Sequence, residues 1–249
     1  FVKIWRLMQR QPLRTAVKSV QVVAQILMGR VFVMKNVRLF YKKGGRMRFI
    51  SHLDMTRFMA RAIRRAQLPV WYTEGFNPHL YMTFALPLSL GFESDYDVLD
   101  IRVLDDDYDI SVLPEKLNAV CPPYIEFIDV AEPIKKAGDV AAASFDILFD
   151  DGEEIKNSLN EFLNRDSIKV LKKTKKGGIK EIEVGDKIKS FDLADKDGNT
   201  LLKITLPAGS VENLNPELFL NKFFEESGKY FCYSVNRTAI LDLDGNPFR

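Results

Sequence analysis

Cysteine and histidine are scarce in this chain of 249 residues, which has two of each. Cys121 and Cys232 lie far apart and form no CxxC or CxxxCxxC pattern, so neither a disulfide framework nor a zinc or iron–sulfur site is written in them. A reducing cytoplasm is the expected setting. His52 and His79 make no HxH or HxxxE spacing, and no metal or cofactor is expected. There is no apolar run of about 18 residues, which excludes an ordinary spanning helix, and no membrane partner is expected. Acidic residues are missing altogether from 1–33, where Lys3, Arg6, Arg10, Arg14, Lys18 and Arg30 stand unopposed.

That local absence skews the charge balance. The formal net charge is +2, but six of the 36 basic residues lie in the leader, leaving 30 against 34 acidic residues in 34–249, a net of −4. The leader 1–33 has three readings: a transit-type presequence, which should contain more serine; a helix docked on the body or on a membrane surface; or a non-native or over-extended start. The third is the expectation, because Met34 directly precedes the first clean strand pattern.

The whole chain is 46% hydrophobic and long enough to bury a core in one large domain or two smaller ones. NVRLFY at 36–41 alternates as a half-buried strand, and KKGGR at 42–46 is a basic turn. A helix is predicted over 52–66, with Ser51 as N-cap and Asp54 in a capping-box-like spacing that also suits the helix dipole. PVWYT and LYMTFALPL read as extended segments around the turn EGFNPH, and YDVLDIRVL as an amphipathic strand. A short helix is predicted over 109–120 and a closing strand in YIEFIDVAE. This order is that of a split βαβ, ferredoxin-like domain over 34–134.

Residues 135–143 read as a linker, and 144–249 repeats the element order with an inserted Lys-rich hairpin. Asn215 and Pro216 give the last helix a capped start with proline at its first position. The expected fold class is therefore α+β, two tandem ferredoxin-like domains.

The string FISHLDMTRFMARAIRRAQLPV, followed by YTEGFNPH and FALPLSLGFES, resembles the signature of the bacterial radical SAM-linked family, a domain of unknown function encoded beside or fused to a radical SAM protein. The likeness extends loosely through KKTKKGGIKEIEV, Asn215-Pro216 and Asn236-Arg237-Thr238. The resemblance implies a radical SAM enzyme as partner and a link to RNA. With no three-cysteine cluster motif, the chain reads as an accessory and not as the radical SAM enzyme.

Between 34 and 66 stand ten Lys and Arg residues against one Asp. Arg57, Arg61, Arg64 and Arg65 fall on one side of the predicted helix, near Lys42, Lys43, Arg46 and Arg48. Guanidinium forks suit phosphates, and Trp71, Tyr72, Phe76 and Tyr81 are aromatic groups on which bases stack. Asn77 and His79 sit in the GFNPH turn. The 169–189 segment carries eight lysines, among them Lys172, Lys173, Lys175, Lys176 and Lys180, against Glu181, Glu183 and Asp186. In contrast, 93–109 has eight acidic residues and only Arg102, a face that repels nucleic acid.

The expected function is a non-enzymatic RNA-binding or substrate-presenting accessory. Two alternatives stand beside it. One is a metal-independent ribonuclease-like enzyme using His52 or His79, with Asp54 or Asn77 as orienting groups, although the Gly-rich C-terminal loop of the CRISPR RNA-processing proteins is missing; Glu74 or Glu93 would complete a two-histidine, one-carboxylate metal site, which the histidine spacing does not support. The other is a protein-only scaffold.

Overall fold

A computed structural model describes residues 34–150, 152–173 and 177–249. The leader 1–33 lies outside these residues, as do Lys175 and Lys176. Ten strands and four α-helices are formed among the described residues, a mixed α+β architecture as the sequence pattern indicates.

Strand β1 (Lys35–Lys43) leads through a 3-10 turn (Gly45–Phe49) into α1 (His52–Arg65). Ser51 caps α1: its Oγ accepts from the Asp54 N–H at 3.1 Å while its hydroxyl donates to Asp54 Oδ2 at 2.8 Å. The buried residues Met55, Met59, Ala62 and Ile63 recur at helical spacing, and Met55, Met59 and Ile63 share a core cluster with Val37, Leu39, Leu99 and Ile101 of the sheet. Next come β2 (Met82–Phe84), β3 (Glu93–Val103), α2 (Leu113–Asn118) and β4 (Ile125–Ala131). The second half runs β5 (Val140–Phe149), α3 (Glu153–Leu163), the separate hairpin β6 (Lys169–Lys173) and β7 (Ile179–Glu183), then β8 (Ser190–Lys196), β9 (Asn199–Pro207), α4 (Pro216–Ser227) and β10 (Tyr233–Asp242). Asn215 caps α4, accepting from the Glu217 N–H at 3.1 Å, with Pro216 at the first helical position.

Several sequence-level expectations need correction. PVWYT is not a strand, because Pro69 offers no N–H and the segment makes only isolated contacts, Pro69 and Arg102 carbonyls accepting from Leu104 and Trp71. The long extended segment after it shrinks to the three residues of β2. The expected helix over 109–120 divides into a 3-10 turn (Ile110–Val112) and the six residues of α2. Part of the expected linker is strand, since β5 begins at Val140 with Val140, Ala142 and Ala143 buried.

The main sheet has the order β4-β1-β3-β10-β5-β9-β8, with β2 on the same side of β3 as β10. One sheet therefore runs through both halves. The junction is narrow: β3 and β10 are parallel and in register only at Glu93 with Asn236 and Ser94 with Arg237. Buried arginines reinforce it from each side. Arg237 of β10 is 2% exposed and pairs with the buried Asp97 of β3. Arg38 of β1, fully buried, makes a two-pronged contact with Asp100 at 2.7 and 2.7 Å, donates to the Lys135 carbonyl at 2.9 Å and lies 4.2 Å over the Phe248 ring.

Removing one member of a buried ion pair leaves the other charge uncompensated. Asp97→Ala is expected to lower the unfolding free energy by about 3–5 kcal/mol, and the double change Asp97→Leu with Arg237→Met to recover most of that loss. Urea unfolding of the three proteins checks this, and a loss below about 1 kcal/mol in Asp97→Ala contradicts it.

Candidate functional site

With its apolar stripe committed to the sheet, α1 turns its arginines outward, but the four do not behave alike. Arg57 bonds Asp54 at 3.2 Å, and the Ser51 hydroxyl, then Arg57, hold the Asp54 carboxyl below its usual range. Arg64 donates through Nε to the Ala60 carbonyl at 2.9 Å. Among the described residues, Arg61, Arg64 and Arg65 form no ion pair, although Arg61 is near enough to Asp54 to help lower its carboxyl. These three line a cavity of about 670 Å³ with Phe58 and with Ala119, Val120, Cys121 and Pro122.

The opposite wall is fixed by Asn118 at the end of α2. Its side chain donates to the Phe127 carbonyl at 2.9 Å and accepts from the Phe127 N–H at 2.7 Å, clamping the segment after α2 to β4. Burial pushes the Cys121 thiol up, with Arg65 opposing, so it stays protonated near neutral pH. Phe58, Val120, Cys121 and Pro122 were not among the expected site residues. The apolar tail of α2 ended by two prolines was the only local signal for that wall.

The other basic candidates separate by environment. Lys42 pairs with Glu126 at 3.4 Å, and Arg48 with Glu93 at 3.6 Å while lying 4.7 Å over the Phe49 ring. Arg46 is exposed and unpaired among the described residues. Lys43 is buried, so it is not part of an outer basic surface.

The two histidines occupy different surroundings. His52 sits at the start of α1 with its ring edge-on to Phe84, centroids 5.0 Å apart. In the GFNPH turn, the His79 N–H donates to Thr73 Oγ1 at 3.1 Å, and His79 Nδ1 lies 3.0 Å from that oxygen and 3.2 Å from the Asn77 carbonyl. Its ring therefore braces the turn. Phe76 at the tip is 100% exposed. Beneath the turn, Trp71 and Tyr81 are 5.6 Å apart and Arg102 covers both, at 5.1 and 4.2 Å. Tyr72 is half-buried against the first core, so of the expected stacking groups Phe76 alone is fully open. No three His, Cys, Asp or Glu side chains gather as a metal site among the described residues.

In the hairpin, Lys172 is half-buried and donates to the Asn213 carbonyl at 3.0 Å, Lys173 lies on β6 opposite Ile179, and Lys180 is exposed. Leu171 and Ile179 are exposed on the ribbon. The hairpin base is held by Glu183, which accepts from the N–H groups of Ile168, Val184 and Gly185 at 2.6, 3.1 and 3.0 Å and from the Ser167 hydroxyl.

The α1 cavity is thus a cationic groove with an apolar lining, suited to an anion carried on a flat or apolar group. A family model described as "Uncharacterized protein conserved in bacteria (DUF2344)" matches residues 36–216. The chain belongs to that family. Its matched region includes α1, the GFNPH turn and the hairpin. No curated protein matches the sequence. Among solved structures, a Cbf5-Nop10-Gar1 complex is similar at 9% identity and a TM-score of 0.44, covering 81% of this chain and 48% of that chain. This protein thus spans about half the length of that relative. An unknown protein from Galdieria sulphuraria is similar at 12% identity and a TM-score of 0.25, covering 82% of this chain and 99% of that one. No helix among the described residues is long and apolar enough to cross a membrane.

The Ser167 hydroxyl, followed by the backbone N–H groups, lowers the Glu183 carboxyl to about 2. A depressed carboxylate contributes stability above the ordinary glutamate range, and that contribution is lost as pH falls through about 2. A carbon-detected NMR titration is expected to place the Glu183 midpoint near 2 and to show it rising in Ser167→Ala. A wild-type midpoint at an ordinary glutamate value of about 4.3 contradicts this anchoring.

Proposed function

We propose that this protein is a non-catalytic accessory that holds RNA on the arginine groove of α1 and presents it to a radical SAM enzyme in a reducing cytoplasm. The observation that carries the reading is the convergence of Arg61, Arg64 and Arg65 on one cavity, none of them held in an ion pair among the described residues. Guanidinium groups fork onto phosphate oxygens, and an apolar wall of Phe58, Val120 and Pro122 accepts the face of a sugar or base. The exposed Phe76 supplies a second surface for a base or for the partner enzyme. The choice of partner rests on the resemblance carried by the SHLD and GFNPH motifs. Both cysteines are free thiols, as suits the proposed compartment.

Each half is read as a ferredoxin-like split βαβ unit, with β6–β7 as an insertion. The strand orders β4-β1-β3-β2 and β10-β5-β9-β8 support that reading, since each half places its first and third strands side by side at the centre.

Binding of labelled single-stranded RNA across a salt series tests the proposal. Replacing Arg61, Arg64 and Arg65 with Ala is expected to weaken binding more than about tenfold at low salt and to flatten the slope of log K against log salt by about 0.7 per lost phosphate contact. Unchanged affinity at low salt overturns it.

A further inference from the structure

Lys43 poses a charge problem that the arginine groove does not address. It is 3% exposed as a residue, its amine nitrogen is not itself cut off from solvent, and among the described residues that amine has no ion-pair or hydrogen-bond partner. Lysine is seldom buried unless paired. Its neighbourhood makes matters worse: Arg237 is buried beside it, the buried carboxylate of Asp97 is taken by Arg237, and Arg237 Nε is itself without a partner. Burial raises the Tyr41 hydroxyl, which stays neutral and offers no compensating charge. Of these two neighbouring cations, only Arg237 has a carboxylate.

Lys43 lines a cavity of about 470 Å³ at the junction of the two halves, with Ser94 of β3 and Asn236 of β10 on its wall. The nearby wall carboxylates are engaged. Glu93 accepts from the Gly45 N–H at 2.9 Å and pairs with Arg48, Glu126 pairs with Lys42, and Asp95 accepts from Asn236 Nδ2 at 2.5 Å. Asp146 and Lys196, also on the wall, have no partner among the described residues. Gly45 shapes the rim: its φ of +52° is left-handed, and a Cβ there would fall 2.4 Å from the Tyr124 ring.

We propose that this cavity binds a small polar molecule whose carboxylate or phosphate group sits against Lys43. The ligand's negative charge supplies the balance that the buried cluster lacks, and Asp146 and Lys196 provide polar contacts for the rest of it. This site lies on different elements from the α1 groove and does not depend on RNA binding.

Burial, then Arg237, pushes the Lys43 amine down to about 8, so it is cationic below that pH and neutral above it. Arg237, lowered by burial to about 10, remains mostly charged at pH 9; the other ionisable side chains facing Lys43 are Tyr41, Asp97 and, on the cavity wall, Lys42, Glu93, Asp95, Tyr124, Glu126, Asp146 and Lys196. Anion affinity is therefore present at a pH of about 6.5 and falls as pH rises through about 8, by roughly tenfold at pH 9.

The test titrates acetate and, separately, sulfate into the isotope-labelled full chain while following carbon-detected backbone signals of Gly44, Ser94 and Asn236. Both probes keep their charge across this range. Saturable shifts at the lower pH are expected, from acetate if the natural group is a carboxylate and from sulfate if it is phosphate-like. They should weaken at pH 9, vanish in Lys43→Met and persist in Lys42→Met. Absence of a saturable shift with either probe overturns the proposal, as does binding undiminished at pH 9 or in a folded Lys43→Met. If Lys43→Met does not fold, the pH comparison on the wild type decides alone.

Discussion

Two buried arginines bind the halves of this protein into one sheet. Direct strand pairing between β3 and β10 covers only two register positions, far less than the ladders within either half. Arg237 reaches from the second half to Asp97 of the first, while Arg38 reaches from the first half to Lys135 and the Phe248 ring near the C-terminus. The arrangement is reciprocal. Charges removed from water are costly unless well paired, so each contact is strongly geometry-dependent and tolerates little sliding of one half against the other.

That constraint has consequences for both cavities. The seam that holds Arg237 also covers Lys43 beside it and opens onto the wall formed by Ser94 and Asn236, so the way the sheet is joined leaves the Lys43 amine without an ion pair among the described residues. The α1 groove arises within the first half. There the apolar stripe of α1 is fixed by the sheet, and the Asn118 clamp on Phe127 sets the distance to the opposite wall. One site is a partly open hollow at the strand seam; the other is an arginine-lined groove between helical segments.

Local pattern made much of this legible. The pattern of NVRLFY and the Ser51 cap placed β1 and α1 closely, and Asn215-Pro216 placed the start of α4. But β1 is buried on both faces from Val37 to Tyr41 and not half-buried as its alternation suggested, because Arg38 is covered at the seam. The failures have physical causes. PVWYT has strand-like composition, but Pro69 and the stacking of Trp71 and Tyr81 under Arg102 hold it in isolated bridges. The run of small residues before Ser144 resembled a linker, yet Ala142 and Ala143 are buried in β5, where small side chains fit against neighbouring strands. Spacing identified the arginine stripe, but only the fold separates Arg57, paired locally with Asp54, from the three arginines that meet the segment after α2. Nothing in KKGGR distinguishes an exposed Lys42 from a buried Lys43. The Asp97 and Arg237 contact links residues too distant in sequence for any periodicity to reveal.

Cross-linking bound RNA to the full chain with ultraviolet light and mapping the modified peptides tests the central claim most directly. The account predicts cross-links in the peptides containing Phe58, Arg61, Cys121 and Pro122, on the two walls of the α1 groove. Cross-links confined to the β6–β7 hairpin, or absent from both groove walls while RNA remains bound, would contradict it.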